Sequence, residues 1–114
     1  MTKPMEMPKP GQVVLVTRGK HAGTYAVVIK IEPDRFVWIA DGDKRRFDKP
    51  KKKNLRHIRP MPYVDEKVAR QLQETGRVSN AMLRFAIRTF ISYHESKPNE
   101  ENAESQEKGE DSSG

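Results

Sequence analysis

A chain of 114 residues with 34% hydrophobic residues and 7 glycines falls below the usual apolar share of about 45–50%, so it has one small core and segments outside it. It lacks cysteine, which excludes a disulfide framework and a cysteine-held metal, and no apolar run nears the roughly 18 residues of a membrane span or forms a signal core. Residues 1–97 carry 21 basic against 10 acidic side chains and residues 98–114 one against six, so the net +6 is a body of +11 and a tail of −5, as in proteins that meet polyanions.

Met1–Pro10 holds Pro4, Pro8 and Pro10 without periodicity and reads as an extended, mobile arm. Three short runs rich in β-branched and aromatic residues follow, Val13–Val16, Tyr25–Ile31 and Phe36–Ala40. Each predicts a strand. In the first, both faces are apolar, as in a small barrel or a strand covered by another segment. In the second, Val27, Ile29 and Ile31 form the expected core face. Trp38, the single tryptophan, is expected to fill the core or one barrel end, with base stacking as the alternative.

Between the first two strands lies Arg18-Gly19-Lys20-His21-Ala22-Gly23-Thr24, a basic loop with two glycines. Glu32-Pro33-Asp34-Arg35 predicts a tight turn before the third strand. After the Asp41-Gly42-Asp43 turn, Arg45-Arg46-Phe47 is a candidate fourth strand. Lys49–Asn54 is too charged and proline-broken for a central strand. Leu55 and Ile58 suit a short helical turn or a last strand. Pro60 and Pro62 then end the unit near Arg59.

Asp65 predicts an N-cap for a helix over Glu66–Glu74, with Gly76 ending it. Ser79 or Asn80 caps a second helix over Ala81–His94. Its stripe of Met82, Leu83, Ala86, Ile87, Phe90 and Ile91 is expected to cover the barrel or the first helix. Arg84 and Arg88 stand four apart on another side. From Ser96 the chain is polar and acidic, and is expected to be disordered.

The chemistry-bearing residues point away from catalysis. His21, His57 and His94 lack metal-ligand spacing, no acid/base pair is assembled, and no cofactor is implied. Gly19–Thr24 departs from a Walker loop, because the required Gly-Lys-Ser/Thr and helix do not follow. A glycine-flanked loop with Arg18 and Lys20 can still offer N–H groups and charge to a nucleic-acid phosphate. The stronger signal is Lys44–Arg59, with nine basic residues against Asp48, +8 within sixteen residues. Such density repels itself unless an anion neutralises it. Phe47, Leu55 and Ile58 should tether it to the core. No recognition helix or basic zipper is visible, which favours RNA over major-groove readout of DNA.

The pattern Gly11-x-Val13-Val14, Gly19–Thr24 and Val27 resembles a KOW motif, whose near-invariant loop glycine would be Gly23. The Gly-x-His-Ala-Gly loop followed by Asp41-Gly42 is similar to the fourteen-e type of archaeal and eukaryotic large-subunit ribosomal protein. Asp41–Arg46 and Lys49–Ile58 resemble a bacterial group of KOW proteins related to that type. Thr24 stands where a Lys or Arg is usual. The resemblance covers about Gly11 to Arg59 and implies an SH3-like barrel that binds RNA, with ribosomal RNA the expected partner. Carried over by position, Arg18, Lys20, His21, Gly23, Lys44, Arg45, Arg46, Lys51, Lys52, Lys53, Asn54, Arg56 and His57 would face RNA. Asn54 has the alternative of a backbone hydrogen bond.

The expected architecture is a mainly β chain. A flexible arm (1–10) precedes an SH3-like barrel (11–59), a helical extension (60–95) and a disordered acidic tail (96–114). The expected protein is cytoplasmic, monomeric and non-catalytic, with RNA, possible ribosomal-protein contacts and no membrane as its partners. The rival reading is a protein-interaction adaptor of the transcription or translation machinery, docking through the barrel or a partly exposed Met82–Ile91 stripe of the last helix. A third idea folds Glu100–Asp111 back on the basic loops.

Overall fold

The computed structural model describes residues 7–96. In chain order these form β1 (Gln12–Val16), β2 (Tyr25–Glu32), β3 (Phe36–Ala40), β4 (Lys51–Asn54), a 3-10 turn (Leu55–His57), β5 (Ile58–Val64), α1 (Glu66–Thr75) and α2 (Asn80–Ser96). The strands make one antiparallel sheet in the order β4-β3-β2-β1-β5. This is the expected mainly β, SH3-like arrangement followed by two helices. Among the described residues no helix is long and apolar enough to cross a membrane. The expectations for residues 1–6 and 97–114, including the acidic tail and its folding back, lie outside the described residues. The arm is fastened near its end: Pro8 is buried and the Lys9 N–H donates to Gln12 Oε1.

Both faces of the sheet are covered, which explains the two apolar faces of β1. Val14 and Val16 join Ala26, Val28, Val37, Ile39 and Ile58 in the barrel interior. Val13 points the other way, into a second core with Val27, Ala40, Val68, Leu83, Ala86 and Phe90. Alternation of side chains along each strand makes this division.

β2 departs from the simple alternation expected for Val27, Ile29 and Ile31. Its pairing with β3 slips between Val28 and Lys30, leaving Ile29 without an opposite residue. One extra residue reverses the facing of everything beyond it. Val27 and Ile29 therefore pack toward the helices, whereas Ile31, opposite Val37, packs against the barrel interior.

The basic half differs from expectation in two ways. Arg45-Arg46-Phe47 is not a strand but part of a turn, and the fourth strand is Lys51–Asn54. Three successive lysines are tolerated because β4 lies at an edge, where lysine is favourable. Pro60 and Pro62 do not end the sheet: β5 runs on to Val64, along the opposite edge. An edge strand leaves one backbone side unpaired, so a missing N–H there costs no ladder bond. Where the β1–β5 register slips, Gln12 Nε2 donates to the Met61 carbonyl at 2.8 Å.

The helices start and stop as their caps dictate. Asp65 Oδ1 accepts from the Val68 N–H at 3.0 Å, and Gly76 closes α1 in the left-handed conformation. Ser79 Oγ accepts from the Met82 N–H at 3.1 Å. Leu83, Ala86 and Phe90 of the α2 stripe are buried against the sheet, with Met82, Ile87 and Ile91 packed around them. Phe90 meets Tyr25 edge-on at 5.1 Å between ring centroids. Burying a side chain of this size stabilises by about 1.5–3 kcal/mol. Gly42 lets α2 approach the sheet. Its φ is +78°, and a Cβ there would collide with the Asn80 carbonyl.

Candidate nucleic-acid interface

The β1–β2 loop is closed by its flanking backbone, with Gly23 N–H donating to Val16 O at 2.7 Å and Val16 N–H to Thr24 O at 2.8 Å. Inside it, Thr24 Oγ1 donates to His21 O at 2.7 Å. The loop thus stands as a fixed lobe at one end of the barrel, carrying Lys20 and His21.

The second basic segment reaches the same end by a different route. Asp41 Oδ1 accepts from the Asp43 and Arg45 N–H groups, both at 2.8 Å, and bends the chain back after β3. The Phe47 N–H donates to Asn80 Oδ1 at 2.7 Å, which ties this turn to the start of α2. From Lys51 the chain runs antiparallel to β3. Alternation then sorts the lysines. Lys51 and Lys53 turn to the barrel mouth and Lys52 to the opposite side.

The two segments meet at a cavity of about 220 Å³. Lys20 and His21 enter it from the loop, and Arg45, Lys51 and Lys53 from the second segment. Val16, Ala26 and Ile39, all from the barrel interior, form its apolar floor, and Asp41 supplies the one carboxylate among the described residues. Lys53 Nζ donates to the Arg18 carbonyl at 2.9 Å, bridging the segments. A cavity with four permanent cations against one carboxylate attracts anions, and its depth focuses the field.

The remaining sequence candidates lie elsewhere. Arg18 contributes its carbonyl. Gly23, with φ +92°, and Lys44 line a neighbouring groove with Arg84 and Arg88. Arg46 is exposed, and its carbonyl accepts from the Lys49 N–H. Asn54 Oδ1 accepts from the Arg56 N–H at 2.9 Å and caps the 3-10 turn, in keeping with the backbone alternative. Arg56 is exposed, and the His57 carbonyl accepts from the Thr17 N–H.

Trp38 is neither core nor barrel plug. It is half-buried on the outer face of β3, between Lys30 and Lys52 on the neighbouring strands. Its indole N–H donates to Glu32 Oε2 at 2.7 Å. Lys52 pairs with Glu32 Oε1 at 3.3 Å and lies 4.7 Å from the Phe36 ring centroid. The Trp38 hydrogen bond, with the Lys52 bond and charge behind it, holds the Glu32 carboxyl below its ordinary value.

Asp41 carries no basic-charge signal, although the Asp-Gly turn marks it as an Asx-turn former. The signal of Arg84 in the sequence is its spacing from Arg88 alone. Its Nη1 donates to the Gly42 carbonyl at 2.7 Å, a contact that no local pattern announces.

Comparison with known proteins places the fold in a family. The KOW motif model matches residues 10–39, which span β1, the basic loop, β2 and most of β3. Over 70 residues the chain is 40% identical to the "Putative ribosome-binding protein YbzG" of Bacillus subtilis (strain 168), covering 61% of this chain and 95% of that protein. With a shared motif and an alignment over nearly the whole of YbzG, this chain belongs to the YbzG family of KOW-motif proteins.

Proposed function

We propose that the protein is a non-catalytic RNA-binding protein of the ribosome. It holds ribosomal RNA phosphates through the segments 18–23 and 44–59, working in the cytoplasm. One observation carries this reading: Lys20 and His21 share a cavity with Arg45, Lys51 and Lys53, which come from a distant part of the chain. Folding costs electrostatic energy when it gathers like charges, and a polyanion returns that energy. Phosphate contacts by lysine and arginine release counterions, so affinity falls as salt rises. A fixed array on a barrel suits RNA recognised through backbone and shape. The name of YbzG supports the choice of the ribosome among RNA-containing partners.

The adaptor reading has less support. It requires a partly exposed α2 stripe: Leu83, Ala86 and Phe90 face the core, whereas Met82, Ile87 and Ile91 are half-buried and Phe85 beside them is exposed.

The test is co-sedimentation of the full chain with ribosomes at low and high salt. The protein should travel with ribosomes at low salt and leave them as salt rises. A Lys20→Ala/Lys51→Ala variant should leave at lower salt. Absence from ribosomal fractions at every salt concentration, together with no salt-sensitive RNA binding, would contradict the proposal.

A further inference from the structure

A second concavity lies on the other side of the glycine loop. It is a groove of about 530 Å³ between α2, the start of β2 and the Asp41–Lys44 turn. Its floor is Tyr25, Ile87 and Ile91, all half-buried. Its cations are Lys44, Arg84 and Arg88, all exposed. We propose that this groove is a second RNA site, continuous with the barrel mouth, and that the helical extension exists in part to supply it. The proposal rests on the RNA reading given above.

Three observations carry it. The first is continuity: Thr24 and Asp41 line both the barrel-mouth cavity and the groove. Gly23 lines the groove beside Thr24, and even an added Cβ there would meet nothing within 4 Å. The backbone at that point is open to a ligand, with no side chain of its own in the way.

The second is the arrangement of charge. Arg84 and Arg88 are four residues apart on α2 and therefore neighbours on its surface, where like charges repel. Lys44 faces the same groove. Arg84 is held in place by its bond to the Gly42 carbonyl, and a guanidinium has four further N–H donors for a phosphate. Asp41 and Asp43 also line the groove, but Asp41 Oδ1 is engaged by two backbone N–H groups of its own turn.

The third is the floor. Cations around a partly apolar base are what single-stranded nucleic acid requires, with phosphates on the rim and base faces below. A protein partner would meet three cations and the carboxylates of Asp41 and Asp43 beside a narrow apolar strip. The chemistry favours RNA.

The test compares the parent with Arg88→Ala, a position exposed on α2 and outside both basic segments, using oligouridylates of about 4 and about 10 nucleotides. The longer strand should lose affinity, and the slope of its log K against log salt should shrink by about 0.7. Binding of the shorter strand should keep its parental affinity, as should the melting temperature. An unchanged slope for the longer strand, while Lys51→Ala still weakens binding, would overturn the groove and leave the barrel-mouth reading standing. If Lys51→Ala also has no effect, both readings fall. Loss of ribosome association with parental RNA affinity would assign the groove to a protein and overturn the proposal.

Discussion

Lys53 Nζ lies 2.9 Å from the Arg18 carbonyl although 35 residues separate them in sequence. It reaches that carbonyl over Gly19, where a Cβ would come within 2.7 Å of the ammonium. The two basic segments are therefore joined over a position whose φ of +97° favours glycine and where a Cβ would displace the lysine tip. Gly19→Ala should cost about 1–3 kcal/mol in backbone strain. The lysine tip can swing aside, so the protein should still fold, with its bridge to Arg18 broken. Urea denaturation checks the first effect. RNA affinity, falling by more than the small charge-neutral change would suggest, checks the second.

Asn80 offers a separate handle on the same region. It presents Oδ1 to the Phe47 N–H at 2.7 Å and its backbone to Gly42. Asn80→Ala leaves a part-buried N–H without its acceptor, which should cost about 1–3 kcal/mol. Asn80→Asp keeps an acceptor and should cost less. Amide exchange at Phe47 should quicken in the alanine variant. Equal stability of both variants and the parent would show that α2 does not hold the basic turn.

Glu32 makes a pH prediction. Its carboxyl is held below the ordinary value of 4.5 by the Trp38 N–H first and then by Lys52. A group with a depressed folded pKa contributes stability that is present above its unfolded value and lost as pH falls through the folded one. Fluorescence of Trp38, titrated downward from neutrality, should therefore show a transition below pH 4.5. Glu32→Gln should abolish it. A transition that survives in Glu32→Gln would place its cause elsewhere.

Much of this was readable from residue order. The caps Asp65 and Gly76 are local chemistry and are used as expected, and of the two candidates for α2, Ser79 and Asn80, the structure uses Ser79. The Phe36–Ala40 strand has the bounds its apolar run suggested. What could not be read depends on neighbours distant in sequence. The slip at Ile29 arises from pairing with β3, and nothing within β2 marks it. Lys51–Asn54 has poor strand propensity, yet it finds an edge to occupy. Pro60 and Pro62 look like terminators until β5 is seen to have a free side. Trp38 lies outward because α2 covers the Val27 and Ala40 end of that face and leaves the Phe36 end to Lys52. In the site, the density of positive charge was visible. The alternation that separates Lys51 and Lys53 from Lys52 required knowing that this segment is a strand.

That alternation supplies the most direct test of the central claim, which is that the barrel mouth binds RNA phosphates. The measurement is the salt dependence of RNA affinity for Lys51→Ala and for Lys52→Ala, two adjacent residues of equal charge. Lys51 lines the mouth, whereas Lys52 is paired with Glu32 on the other face. Lys51→Ala should weaken binding and reduce the slope by about 1, and Lys52→Ala should change neither by a comparable amount. Equal losses from both substitutions would mean diffuse attraction to a basic segment and would contradict a site at the barrel mouth.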